Sequence, residues 1–274
     1  MKFSIAAKDF LEMIEATKSN GTYDFLVRKI ASLKKYFENV ELENIDKKMI
    51  VKYINFYKKK NPEISHVTIN RNIAVLNRIL DYNDYNKVNF DKLPENKTIK
   101  DSIPDFIVVE VLNDLEERSS KSPEAYRNYV FFRLLLDTGI RVTEALNLRI
   151  QDFDFENRLI HLKVTKSKRE RFVMFTQSTR NLLEHFIMAH NLNDYIFMNY
   201  YHNKRLKVDN IQKLCYRMKR RLNLEVSITP HAWRHTFANR FLKNGGNLET
   251  LRLIMGHASL KTTQIYLHLD KNIS

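Results

Sequence analysis

Residues 91–104 read DKLPENKTIKDSIP, with a proline near each end and almost no apolar side chain. Such a stretch has nothing to bury, so it separates the chain into two bodies, each with its own core. At 274 residues the chain is long enough for two small domains. We place the first at residues 1–92, a linker at 93–103 and the second at 104–274.

The first body reads as four helices. Phe3, Phe10, Leu11 and Ile14 begin one; Phe25, Leu26, Ile30, Leu33 and Phe37 recur at helical spacing in the next. Asp46 and Ser65 are candidate N-caps for the third and fourth. In the fourth, Ile69, Ile73, Leu76 and Leu80 form an apolar stripe. Asn70, Arg71, Asn77 and Arg78 lie on another face, which suits either a solvated surface or a DNA groove. In the second body, Ser122-Pro123 caps a helix that stops near Gly139, and another helix starts near Thr143. Ile160, Leu162 and Val164 alternate with polar residues, and Phe172 to Phe175 form a partner strand, giving a β-hairpin with a basic tip. Thr229-Pro230 caps a helix whose buried stripe is expected to be Trp233, Phe237 and Phe241. Gly256 stops the helix from Leu248 to Met255. The expected class is mainly α with a small β-sheet (α+β).

The net charge of +14 points to a polyanion, and the surplus is local. Residues 201–240 hold ten Lys/Arg against two Asp/Glu, and residues 161–180 hold six against one. By itself this leaves DNA, RNA and an acidic protein open. No apolar run approaches the length of a membrane span. The N-terminal segment carries acidic residues inside its apolar stretch, unlike a signal peptide. The lone Cys215 excludes an internal disulfide and a cysteine-built zinc site, and reads as a small apolar residue. These features point to a reducing cytoplasm.

Four stretches stand out together: LLLDTGIRVTEALNL with Arg141, TKSKRERFV with Lys166, TPHAWRHTFANRF with His231 and Arg234, and IMGHASLKTTQIYLHLD with His257 and Tyr266. Singly, each has an ordinary reading. Arg141 suits a surface salt bridge, Lys166 a solvated lysine, and Tyr266 core or surface. His231 and His235 have metal-ligand spacing, but no acidic residue lies between them and Arg234 would set a positive charge beside the ion, so no metal is expected.

Their order is more specific: Arg, Lys on a hairpin, His-x-x-Arg, Gly-His, then Tyr nine residues later. Over roughly Pro104 to Tyr266 this resembles the tyrosine recombinase/integrase family, which includes the Xer recombinases and phage integrases. The first ninety residues fit that family's SAM-like core-binding domain more loosely. The resemblance implies a site-specific recombinase that cuts double-stranded DNA through a 3′-phosphotyrosyl intermediate without metal or other cofactor, for integration, excision or dimer resolution. It gives Tyr266 as nucleophile, Arg141 and Arg234 as the phosphate clamp, His231 as general base, Lys166 as leaving-group acid and His257 as a donor to the scissile phosphate. His235 would stand behind these groups, and Glu144 and Asp137 would be structural. It further implies a monomer in solution and a tetramer on paired DNA sites. Only eight residues follow Tyr266, where many relatives carry a coupling helix, and no arm-binding domain precedes residue 1. That favours a simple Xer-like or small mobile-element recombinase. A non-catalytic DNA-binding protein on the same fold and a type IB topoisomerase are the competing readings.

Overall fold

Helix starts are fixed locally by side chains that accept otherwise orphaned backbone N–H groups. The Asp46 carboxylate accepts from Met49 N at 2.8 Å, Ser65 from Thr68 N at 3.3 Å and Ser122 from Ala125 N at 3.1 Å. Thr229 accepts from Ala232 N and Asn247 from Thr250 N in the same way. The computed structural model describes residues 1–95, 102–163, 170–200, 202–257 and 263. The chain divides into two units, Met1–Thr98 and Ile99–Ser274.

The first unit is built of α1 (Phe3–Thr17), α2 (Asn20–Phe37), α3 (Lys47–Lys60) and α4 (His66–Tyr82). Each turns an apolar stripe inward, and Phe3, Ile14, Leu33, Phe37, Tyr53 and Leu76 are fully buried between them. The polar stripe of α4 divides in two. Asn70 accepts from Leu93 N and donates to Leu93 O, both at 3.0 Å. Asn77 does the same with Val88 N and O, at 2.9 and 3.1 Å. These two amides tie residues 88–95 down onto α4, so they present neither a solvated face nor a groove-reading one. Arg71 and Arg78 are exposed. Residues 93–95, expected in the linker, are thus held by the first unit. At the other end of that stretch Ile103 is buried in the second unit, and its N–H donates to Thr236 Oγ1 at 2.8 Å.

The second unit contains α5 (Asp105–Ser119), α6 (Pro123–Thr138), α7 (Val142–Ala145), α8 (Gln177–Ala189), α9 (Val208–Arg221), α10 (Pro230–Lys243) and α11 (Leu248–Met255). Helix α6 is central and packs against α5, α8 and α10. Trp233 of α10 is fully buried against Phe132 of α6, ring centroids 5.1 Å apart. The expected Trp233–Phe237–Phe241 stripe does not stay in one core. Phe237 and Phe241 are half-buried and join a separate cluster with Ala238, Leu242, Leu251 and Met255. Their rings lie where a Cβ on Gly139 or Gly246 would fall.

Strands β1 (Phe153–Asp154), β2 (Leu159–Leu162) and β3 (Arg171–Met174) form an antiparallel sheet in that order. The register pairs Ile160 with Val173 and Leu162 with Arg171. Inward side chains therefore alternate with exposed Phe172 and Met174. A second, two-stranded sheet of β4 (Met198–Asn199) and β5 (Lys204–Arg205) has no signal in the sequence. Cys215 is buried, and burial pushes its thiol up to about 12. Among the described residues no helix is long and apolar enough to cross a membrane.

Candidate active site

Two helices that end in left-handed glycines build the site. Gly139 caps α6 with φ +62° and Gly256 caps α11 with φ +59°, a conformation that costs other residues about 1 kcal/mol or more. The carbonyl of each glycine holds an arginine: Gly256 holds the one that follows the Gly139 turn, and Gly139 holds one from α10. Arg141, two residues past Gly139, donates from Nη2 to Gly256 O at 3.0 Å. Arg234 of α10 donates from Nη1 to Gly139 O at 2.6 Å and from Nη2 to Met255 O. Helix C-termini carry partial negative charge, so they position these cations without a full anion. Arg234 is 3% exposed, whereas the Arg141 side chain is one-third exposed.

Glu144 in α7 organises the rest. Its carboxylate accepts from Arg141 N at 2.7 Å and Arg141 Nη1 at 2.9 Å. It also accepts a forked pair from Arg171, Nη1 at 3.0 Å and Nη2 at 2.8 Å. Burial acts to raise its pKa, but the Arg171 bonds and charge, with those of Arg141, outweigh it and hold the carboxyl down at about 2. One carboxylate thus serves two guanidinia, and the three groups together keep a surplus positive charge. Asp137 acts away from this cluster, where its carboxylate accepts from Thr176 N and Oγ1 at the start of α8.

Arg171 was not singled out by sequence reasoning. It occupies an inward position on β3, and its Nε donates to Ile254 O at 2.7 Å. It therefore joins the hairpin to the end of α11 and to the carboxylate that holds Arg141. Phe172, Val173, Met174 and Phe175 are all apolar, so the sequence shows no alternation that would mark Arg171 as inward. A buried cation requires a carboxylate, and only the fold brings Glu144 to it.

His257 follows Gly256 directly. Its Nε2 faces Arg234 Nη2 at 3.3 Å and its Nδ1 faces Thr263 Oγ1 at 2.9 Å. Since a guanidinium can only donate, Nε2 accepts and the ring proton sits on Nδ1. Burial, then the charges of Arg234, Arg141 and Arg171, lower its pKa to about 4, so the ring is neutral at pH 7. His231 lies exposed in the first turn of α10, its ring centroid 5.2 Å from that of His235, which is 8% exposed. Among the described residues no group of three or more His, Cys, Asp or Glu side chains could hold a metal ion. Arg141, Arg234 and His257 are thus brought together, and His231 starts the helix that carries Arg234. Lys166 and Tyr266 lie outside the described residues.

Clustered guanidinia around a neutral histidine suit an anionic, many-oxygen ligand such as a phosphodiester. Comparison with known proteins agrees. Residues 105–272 match the phage integrase family, and residues 2–89 match the phage integrase SAM-like domain. The chain is 32% identical to the tyrosine recombinase XerA of Saccharolobus solfataricus, over 97% of this chain and 81% of that one. It is 28% identical to a probable integrase/recombinase of Acholeplasma phage L2, over 99% and 95% of the two. The Tn1549 transposon integrase in complex with a circular intermediate DNA shares the fold at a TM-score of 0.80 and 18% identity, covering 95% of this chain and 94% of that one. A lambda integrase dimer bound to a core site shares it at 0.78 and 14% identity, covering 96% and 97%. The chain belongs to the phage integrase family and is a tyrosine recombinase.

Proposed function

We propose that this recombinase cuts and rejoins double-stranded DNA at specific sites, with Tyr266 as nucleophile and the arginine cluster as the seat of the scissile phosphate. The observation that carries this reading is the pair of crossed bonds between two helix ends and two arginines, Arg141 to Gly256 O and Arg234 to Gly139 O. They fix two forked donors beside the turn that leads to Tyr266.

The division of labour follows from the chemistry. The Tyr266 hydroxyl attacks phosphorus, the bond to the 5′-oxygen breaks, and a 3′-phosphotyrosyl link forms. A phenol has a pKa of about 10, so its proton must be taken, and His231 takes it. The leaving 5′-oxygen receives a proton from the Lys166 ammonium. Arg141 and Arg234 bind the charge that grows on the non-bridging oxygens, a contribution of about 3 kcal/mol per donor in comparable sites. The 5′-hydroxyl of a second strand then attacks the same phosphorus, releasing Tyr266, and no external energy source is required.

In this reading the core-binding domain is residues 1–92 with 93–95 held against it, and the catalytic domain is residues 104–274 with Ile103 packed into it, which shortens the linker expected at 93–103. The protein is a monomer in solution and a tetramer on paired DNA sites. Its lone buried cysteine suits the reducing cytoplasm. A duplex nicked beside the cut site tests the assignment, because loss of the short fragment traps the protein on DNA. Lys166→Ala traps poorly, and a 5′-bridging phosphorothiolate, whose sulfur leaves without a proton, restores trapping. Arg141→Ala is not restored by it. Equal rescue of both variants, or of neither, contradicts the roles of these two residues.

A further inference from the structure

Four consecutive carbonyls at the end of α11, from Ile254 to His257, each accept from a different arginine. The last carbonyls of a helix have no partner within it. Here the Gly256 turn closes two of them: Arg252 O accepts from His257 N at 3.1 Å and Leu253 O from Gly256 N at 3.0 Å. The next four are closed by guanidinia. Arg171 Nε donates to Ile254 O at 2.7 Å, Arg234 Nη2 to Met255 O, Arg141 Nη2 to Gly256 O at 3.0 Å and Arg252 Nη1 to His257 O at 3.1 Å.

Three of these arginines, Arg171, Arg234 and Arg141, belong to the cluster around Glu144 and His257. Arg252 does not. It stands on α11, its side chain is 17% exposed, and its Nε donates to both oxygens of Glu249 at 3.0 and 2.9 Å. A surface ion pair of this kind contributes little by itself. Arg252, however, holds His257 at both ends: its backbone O accepts from His257 N, and its guanidinium donates to His257 O. One residue thus fixes the two peptide groups that flank the His257 Cα. The ring then keeps its direction, with Nε2 on Arg234 at 3.3 Å and Nδ1 on Thr263 at 2.9 Å. A neutral ring facing Arg234, Arg141 and Arg171 has no charge to hold it there, so the backbone must.

We propose that Arg252, oriented by Glu249, is a positioning residue for strand cleavage, setting the His257 ring on the scissile phosphate through the backbone on either side of it. The task needs a guanidinium. Nε and Nη2 engage Glu249 while Nη1 reaches His257 O, and the single point donor of a lysine cannot do both. This proposal rests on the reading that the phosphate binds beside Arg141, Arg234 and His257.

The test uses the full chain as Arg252→Ala, Arg252→Lys and Glu249→Gln. His257→Gln assigns the His257 ring signal in histidine-labelled NMR and reports the weight of that ring in cleavage. Single-turnover cleavage of the nicked duplex at saturating protein, and duplex affinity, are measured for each. Arg252→Ala and Arg252→Lys should both lose about tenfold in cleavage rate with affinity within about twofold of wild type, because a small misplacement costs rate and not binding. Glu249→Gln, a change at an exposed side chain, should lose about threefold. The His257 pKa, about 4 in the wild type, should rise by about one unit or more in Arg252→Ala as the ring leaves its buried place. A contribution to stability alone would leave the rate of the folded enzyme and the His257 pKa unchanged. A direct contact with DNA would weaken binding in Arg252→Ala and be restored in Arg252→Lys. Either result overturns the proposal. If His257→Gln cleaves as fast as wild type, the reading of the phosphate seat fails and the proposal with it. If His257→Gln is slow and Arg252→Ala is not, the proposal alone fails.

Discussion

A Cβ placed on Gly256 would lie 2.9 Å from Arg171 Nη1, so the guanidinium of the hairpin rests directly on the backbone of the Gly-His turn. The turn, the sheet and the arginine clamp are therefore one packed unit. Gly256→Ala has to bear both a left-handed backbone and the displacement of Arg171.

Gly245 separates these two costs. Its φ is +83° but no atom lies within 4 Å of its virtual Cβ, so Gly245→Ala bears backbone strain alone. Chemical denaturation should show a loss of about 1–2 kcal/mol for Gly245→Ala and about 2–4 kcal/mol for Gly256→Ala. Cleavage should stay within about threefold of wild type in the first and fall at least about tenfold in the second, because a small misplacement of donors is costly. Equal effects would mean that the Arg171 contact is incidental.

Glu144→Gln removes the negative charge shared by Arg141 and Arg171. At pH 7 we expect a stability loss of about 3 kcal/mol, as for other broken buried pairs. The folded carboxyl is held at about 2 against an ordinary value of 4.5. Its contribution is thus complete above pH 4.5 and disappears as pH falls through 2. The gap in urea midpoint between wild type and variant should narrow across that window. Arg171→Met should show a similar loss at pH 7 and slow cleavage while leaving DNA affinity within about threefold, since the side chain acts through Glu144 and the turn. A gap that is constant with pH would contradict the sharing of charge at Glu144.

His257 titrates at about 4 in the free protein, against 6.5 for an ordinary histidine. A lowered value means that the neutral ring favours folding: this contribution is present above pH 6.5 and is lost as pH falls through 4. A phosphate seated beside Arg234 and Arg141 offsets the positive field. The pKa should then rise by at least about one unit when duplex binds. Histidine-labelled NMR of Tyr266→Phe, with and without duplex, reads this directly. A pKa unmoved by DNA would place the phosphate away from His257.

The helices, their caps and the order of the motif residues were legible because they are local. Asp46, Ser65, Ser122, Thr229 and the two glycines act on backbone within a few residues of themselves. Long-range bonds left no such trace. Asn70 and Asn77 looked like a surface face because their partners, Leu93 and Val88, lie 23 and 11 residues away. Nothing local distinguishes Arg171 from the other cations of its segment, because its partners are 27 and 83 residues distant in the chain. The Trp233–Phe237–Phe241 stripe failed for another reason. Periodicity identifies a face but not which neighbours cover it, and here the two phenylalanines cover glycines.

Centrally, we hold that Tyr266 attacks a phosphate bound by Arg141 and Arg234. A nicked duplex, denaturing electrophoresis and mass spectrometry of the protease-digested adduct test it most directly. We predict a covalent protein–DNA adduct in the wild type, with the nucleotide attached by its 3′-phosphate to the peptide containing Tyr266. We predict no adduct in Tyr266→Phe at unchanged DNA affinity. An adduct that persists in Tyr266→Phe, or that maps to another residue of the wild type, would contradict this assignment.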